Sequence, residues 1–154
     1  MTRAAQSRNW RWLATGLLAL LLVSPSLVAA SGVLSYTLTI VADGVSSSRG
    51  VVGVLIFRSS MGWPENSAAA FRAQSVPARP GSTMLAVAGL PPGTYAVVVL
   101  HDENQNMKLD RNWMGVPKEQ WGMSENPHVG LSAPHFAQAE FRLAGDMTIR
   151  VLLH

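Results

Sequence analysis

The chain contains no cysteine. Disulfides, thiol nucleophiles and thiolate metal sites are therefore excluded. Small exported domains often rely on disulfide staples, so a domain of this kind without them has to be held by its apolar core. Charge is also scarce, at 14% of residues, and the basic balance is local. Of the twelve Lys and Arg, Arg3, Arg8 and Arg11 lie within the first 30 residues, whereas all nine Asp and Glu lie beyond them. From Ser31 onward nine basic and nine acidic residues cancel. No basic stripe is present to neutralise phosphates, which argues against nucleic acid as a partner. Long apolar runs are missing too. The N-terminal run, WLATGLLALLLV, covers 12 residues from Trp12 to Val23, short of the ~18–20 that a membrane span needs.

What is present at the N-terminus is a three-part layout. A positive region comes first, then the apolar run, then small residues, with Val28 and Ala30 placed for cleavage before Ser31. This is the form of a secretory leader. The expected organisation is a signal peptide over 1–30 and one domain over 31–154, located in the periplasm or secreted. An uncleaved anchor is the alternative. The absence of a Cys after the apolar run rules out a lipid anchor there. About 124 residues suffice for one unaided core.

Beyond the leader, alternation dominates. Leu34, Tyr36, Leu38 and Ile40 share one face of LSYTLTIV, with Ser35, Thr37 and Thr39 on the other. A period of two with β-branched residues predicts a half-buried strand. GVVGVLIF at 50–57 is apolar on both faces and predicts a central strand. Ser82–Ala88 and Thr94–Leu100 are predicted strands flanking the tight turn GLPPGTY, whose Tyr95 is placed to anchor a corner. Phe136–Leu143 and Met147–Leu153 are predicted as the last two strands, around the turn AGD. Pro64, Glu65 and three alanines predict one short helix over Glu65–Ala73, and Val76–Gly81 reads as a connection. Six strands without strand–helix–strand alternation predict an all-β fold, an antiparallel β-sandwich with one short helix. Residues 102–134 have no clear period. A loop of that length inside a compact domain is uncommon and is usually functional or locally organised.

Four stretches carry a resemblance: LPPGTYAV at 90–97, HDENQN at 101–106, KLD at 108–110 and GVPKEQWGMSEN at 115–126. The last looks like a G-x-P-x-E-x-[YW]-G-[FM]-S-x-N pattern, and Pro134 with Phe136 nearby looks like the Pro-aromatic pair that follows it. Through these motifs the chain resembles the DUF2141 family of exported bacterial proteins, over nearly all of 34–153. The resemblance implies an extracytoplasmic β-sandwich, transthyretin-like or immunoglobulin-like, and implies no activity. Met107 stands where family members often carry Gly.

The stretch HDENQNMKLD places Asp102, Asn104, Asn106, Lys108 and Asp110 at positions 1, 3, 5, 7 and 9 of a candidate calcium loop. Calcium takes oxygen ligands at that spacing, with a backbone carbonyl at position 7. Two departures stand against it: Met107 where a sharp turn needs Gly, and Trp113 where a bidentate Glu belongs. Glu119 or Glu125 could reach in from the long loop. In the plainer reading Asp and Asn bond to their own backbone as Asx-turns. Trp63, Trp113 and Trp121 all fall in predicted loops. They form either a ligand surface for a glycan or a secondary core closing one end of the sandwich. His101, His128 and His135, with Met107, Met114 and Met123, lack the regular spacing that a copper site would be expected to show. There is no G-x-S-x-G, and Ser124 and Glu125 have no neighbouring base in sequence. The functional expectation is a non-enzymatic interaction or binding module for an envelope protein or glycan, with a weak calcium loop. The alternatives are a carbohydrate-binding module and an envelope-polymer hydrolase built on the 102–134 loop.

Overall fold

Strand-forming alternation in the sequence becomes two packed sheets in a computed structural model, which describes residues 34–106, 108–128, 130 and 132–154. The predicted leader lies outside the described residues, and Gly32–His154 forms one unit. The strands are β1 (Tyr36–Val45), β2 (Val51–Phe57), β3 (Arg72–Pro77), β4 (Gly81–Leu90), β5 (Gly93–Asp102), β6 (Trp121–Met123), β7 (Phe141–Leu143) and β8 (Met147–Leu152). One sheet has the order β4-β1-β8. The other runs β3-β2-β5-β6, with β7 also on β5. Among the described residues no helix is long and apolar enough to cross a membrane.

Alternation sets the core. Leu38, Ile40 and Ala42 of β1, Leu85 and Val87 of β4, and Ile149 and Val151 of β8 are buried against Val52, Val54 and Ile56 of β2 and Tyr95, Val97 and Val99 of β5. Each such side chain contributes roughly 1.5–3 kcal/mol relative to exposure. Strand β5 is covered on its other face as well. Ala96 packs there with Met123 and Ala139, against half-buried Trp63, Trp121 and Phe136. The Tyr95 hydroxyl donates to the Pro91 carbonyl at 2.7 Å, closing the GLPPGTY turn as a corner.

Four sequence expectations are corrected. The helix over Glu65–Ala73 is only a 3-10 turn, Ser67–Ala69, capped by Asn66. A helix so short has too little propagation to offset nucleation, and Arg72 onward pairs with the free edge of β2 instead. That edge strand, β3, takes in part of the expected connection. Its pattern is almost wholly exposed, so it carries no burial signal. The strand predicted over Phe136–Leu143 is one helical turn, α1 (Phe136–Ala139), followed by β7. The last two strands do not form a hairpin: β7 pairs with β5, whereas β8 pairs with β1 in parallel, Leu38 opposite Met147 through Asp43 opposite Leu152. The turn AGD is thus a crossing between sheets, which lets Leu143 and Ile149 enter one core from opposite sides. Asp146 fixes the crossing by accepting the Thr37 N–H at 2.7 Å.

The outer edge of β5 is assembled in pieces. Strand β7 covers Gly93–Tyr95 and β6 covers Val98–Leu100. Ser124, fully buried, fills the gap: its N–H donates to the Val97 carbonyl, its Oγ accepts the Val97 N–H at 2.9 Å and donates to the Ala139 carbonyl at 2.5 Å. Replacement by Ala leaves a buried N–H unpaired, so Ser124→Ala should lower stability by about 1–3 kcal/mol in urea unfolding, whereas exposed Ser48→Ala should be neutral. Gly50, in the β1–β2 turn, adopts φ 68, and a Cβ there would lie 2.0 Å from the Asp102 carbonyl oxygen. Gly50→Ala should cost more than the ~1–3 kcal/mol of a left-handed non-glycine residue, with a matching drop in the urea midpoint.

Candidate functional site

The end of β5 is fixed before the long loop begins. His101 is 1% exposed. Its Nε2 lies 2.9 Å from the Arg49 carbonyl, which can only accept, so Nε2 carries the proton. Its Nδ1 faces Ser46 Oγ at 3.4 Å and Gln120 Oε1 at 3.3 Å. Gln120 also accepts the Ser46 N–H and donates to the Gly44 carbonyl, both at 2.8 Å. The imidazole and the amide thus strap the β1–β2 turn to β5. Glu103 accepts the Ser47 hydroxyl at 2.8 Å and pairs with Arg49. That hydroxyl, and then the Arg49 charge, hold its carboxyl below the usual Glu value.

Asp102, Asn104, Asn106 and Asp110 are brought together. Asn106 N–H donates to Asp102 Oδ1 at 3.2 Å and to Asn104 Oδ1 at 3.0 Å, and Lys108 N–H donates to Asn106 Oδ1 at 2.8 Å. The bonds to Asn104 and Asn106, each two residues on, are Asx-turns. Asn104 Nδ2 and Asn106 Nδ2 then donate to the two oxygens of Asp110 at 2.6 and 2.9 Å. Gln105 takes the left-handed conformation, φ 61; Met107 lies outside the described residues. Glu119 closes the loop from below, one carboxylate oxygen accepting the Glu103 N–H and the other the Asp110 N–H, each at 3.1 Å. Asp102 is 2% exposed. The donors suit calcium in kind. Their number is small: no group of three His, Asp or Glu able to hold a metal occurs among the described residues. Lys108 contributes its N–H to this network, and its side chain is exposed.

Past Asp110 the chain forms a hairpin. Lys118 N–H donates to the Asp110 carbonyl, Arg111 bridges Pro117, and Asn112 N–H donates to the Val116 carbonyl. Asn112 Oδ1 accepts the N–H groups of Met114 and Val116 at 2.9 and 3.0 Å, and Gly115 N–H donates to the Asn112 carbonyl. Arg111 donates to the Gly115 carbonyl at 3.1 Å and pairs with Glu65. This scaffold holds Trp113 at 92% exposure, Met114 at 63% and Val116 at 51%.

The three loop tryptophans are divided. Trp63 is half-buried, edge-on to Phe57 at 5.4 Å and to Phe136 at 5.7 Å, and its indole N–H donates to the Pro134 carbonyl at 2.8 Å. Trp121 is half-buried in β6 against the same cluster. Only Trp113 of the three stands in solvent. An open groove of about 450 Å³ is lined by Pro117–Trp121 and His154. Glu119 is its one carboxylate side chain, and Asp102, Asp110 and Glu125 are not on its walls. A second groove, about 520 Å³, runs beside Trp63, Pro134 and Phe136.

Residues of the 115–126 motif hold the fold together. Gly122 lets β6 approach β8, since a Cβ would lie 2.4 Å from the Leu152 carbonyl oxygen. Asn126 Oδ1 accepts the Leu152 N–H at 2.8 Å and its Nδ2 donates to the Arg150 carbonyl at 3.0 Å. The strapping roles of Gln120 and Asn126 went unread in the sequence because they depend on partners 24 to 76 positions away.

No curated protein and no solved structure matches the chain. A family model described as an uncharacterized protein conserved in bacteria (DUF2141) matches residues 40–150. The motifs that carried the resemblance are the same ones that bind the 102–126 segment to the two sheets, and the chain belongs to the DUF2141 family.

Proposed function

We propose that this protein is an exported, non-catalytic binding module of the bacterial envelope, and that the hairpin 111–117 is its contact surface. The observation that carries the reading is the ordered exposure of Trp113, Met114 and Val116 on a turn whose backbone is bonded within itself. Apolar side chains scattered singly over a surface need no explanation, but clustered ones mark interaction sites. The leader-like N-terminus supports an extracytoplasmic location, periplasmic or secreted. A glycan partner draws on Trp113 alone, since Trp63 and Trp121 are half-buried. A hydrolase reading finds one side-chain carboxylate, Glu119, at the groove, where a pair of acidic side chains is needed.

A weak calcium site on the loop 102–110 is the finer part of this reading. Asp102, Asn104, Asn106 and Asp110 already converge, and turning the two amides over would present oxygens in place of Nδ2 atoms beside Asp110. Two carboxylates place the affinity at about 10⁻⁴–10⁻³ M, as in extracellular modules.

Two measurements test these statements separately. The protein should cosediment with bacterial envelope fragments, and Trp113→Ala should weaken this about tenfold at unchanged melting temperature; undiminished cosedimentation would place the surface elsewhere. Calcium at ten times its Kd should stabilise by ~1.4 kcal/mol, a rise of about 3–6 °C, reversed by chelator and absent in Asp110→Asn. An unchanged melting temperature at millimolar calcium removes the ion and leaves the hairpin reading intact.

A further inference from the structure

The acids and bases around the hairpin are sorted by direction. Over 102–121 every carboxylate, Asp102, Glu103, Asp110 and Glu119, is at least partly buried and accepts hydrogen bonds from the loop or the adjoining turn. The cations of the same stretch, Lys108, Arg111 and Lys118, are exposed. Arg111 shares its charge with Glu65, so Lys108 and Lys118 are the exposed cations left beside the hairpin among the described residues, with the carboxylates of the stretch less exposed than they are.

From this arrangement, and resting on the binding-module reading above, we infer that the hairpin docks on an anionic phospholipid surface. Trp113, Met114 and Val116 enter the interface, and Lys108 and Lys118 meet the lipid phosphates. Three features favour lipid over a folded partner. Trp113, Met114 and Val116 are all solvated, so the apex suits a medium that deforms around it rather than a matching pocket. The N–H groups of Asn112, Met114, Gly115 and Val116 are all bonded inside the hairpin, which removes part of the cost of taking backbone out of water. Lys118 lies three residues from Gly115, about 10 Å along an extended chain, comparable with the ~5–10 Å depth of interfacial burial. A tryptophan at that level, with lysines nearer the water, matches the order in which bilayers take these side chains.

The test uses the protein beginning at Ser31, whose core residues all lie between Leu38 and Leu153. Vesicles of one part phosphatidylglycerol to three parts phosphatidylethanolamine are compared with pure phosphatidylcholine, following sedimentation and tryptophan emission. Binding to the anionic vesicles with a blue shift is expected, falling with salt. Trp113→Phe should abolish the blue shift, and Trp113→Ala should weaken binding about tenfold. Lys108→Gln and Lys118→Gln should each weaken binding about fivefold, with circular dichroism unchanged in every variant. Failure to bind anionic vesicles at low salt overturns the inference, as does binding that Trp113→Ala leaves intact. Equal binding to dextran sulfate without a blue shift also overturns it, in favour of a plain polyanion surface. If envelope fragments bind but lipid vesicles do not, the lipid inference falls while the binding-module reading stands; if neither binds, both fall.

Discussion

Backbone groups taken out of water have to be paired, and the outer edge of β5 is where this chain has the fewest regular means of doing so. Strand β7 supplies three residues and β6 three, with a gap between them. The gap and the continuation are filled residue by residue. Ser124 pairs with Val97 at both polar groups, the Gln120 carbonyl takes the His101 N–H, and the Glu119 carboxylate takes the Glu103 N–H. The free edge of β8 is met the same way, by the side-chain amide of Asn126. No buried side-chain nitrogen or oxygen lacks a partner among the described residues. A discontinuous edge of this kind also blunts the liability of an open strand, which would otherwise offer itself to another chain.

This pairing accounts for most of the polar residues between 101 and 126, including ones that a motif reader would assign to catalysis. The Ser124 hydroxyl is spent on two backbone groups, the Val97 N–H and the Ala139 carbonyl. The two oxygens of Glu119 are each bound to an amide at opposite ends of the Asp/Asn loop. Subtracting these roles leaves, among the described residues of the hairpin, the exposed side chains of Trp113, Met114 and Val116, with exposed lysines beside them. The apex of the hairpin is apolar.

Much of the sandwich was legible in the sequence because burial imposes a period of two. Leu38 and Ile40 declare their face by alternation and are buried, whereas Leu34, expected on the same face, is exposed ahead of β1. On β4 the alternation allows either Leu85 and Val87 or Met84, Ala86 and Ala88, and packing buries the first pair. The Tyr95 corner was legible from its Pro-Gly turn. Strand β3 was not, since an edge exposed on nearly every residue carries no hydrophobic pattern. Strand β6, three residues long, is too short to show a period. The parallel register of β8 on β1 depends on a pairing more than a hundred residues apart in sequence, which no local pattern encodes. At the site, the convergence of Asp102, Asn104, Asn106 and Asp110 was legible from spacing. The clamps that hold them, Glu119 and Gln120, acquire their roles only from the tertiary arrangement.

The order imposed on the loop also bears on what its apex can do. A flexible loop carrying a tryptophan would hide it against the nearest apolar surface, and would lose conformational freedom on binding, roughly 0.5–1.5 kcal/mol for each immobilised side chain. Here the cost of order is met during folding: Asn112 fixes the turn through two bonds to one oxygen, and Glu119 fixes the loop beneath it. The backbone that carries the indole is committed to the hairpin, which holds Trp113 at 92% exposure.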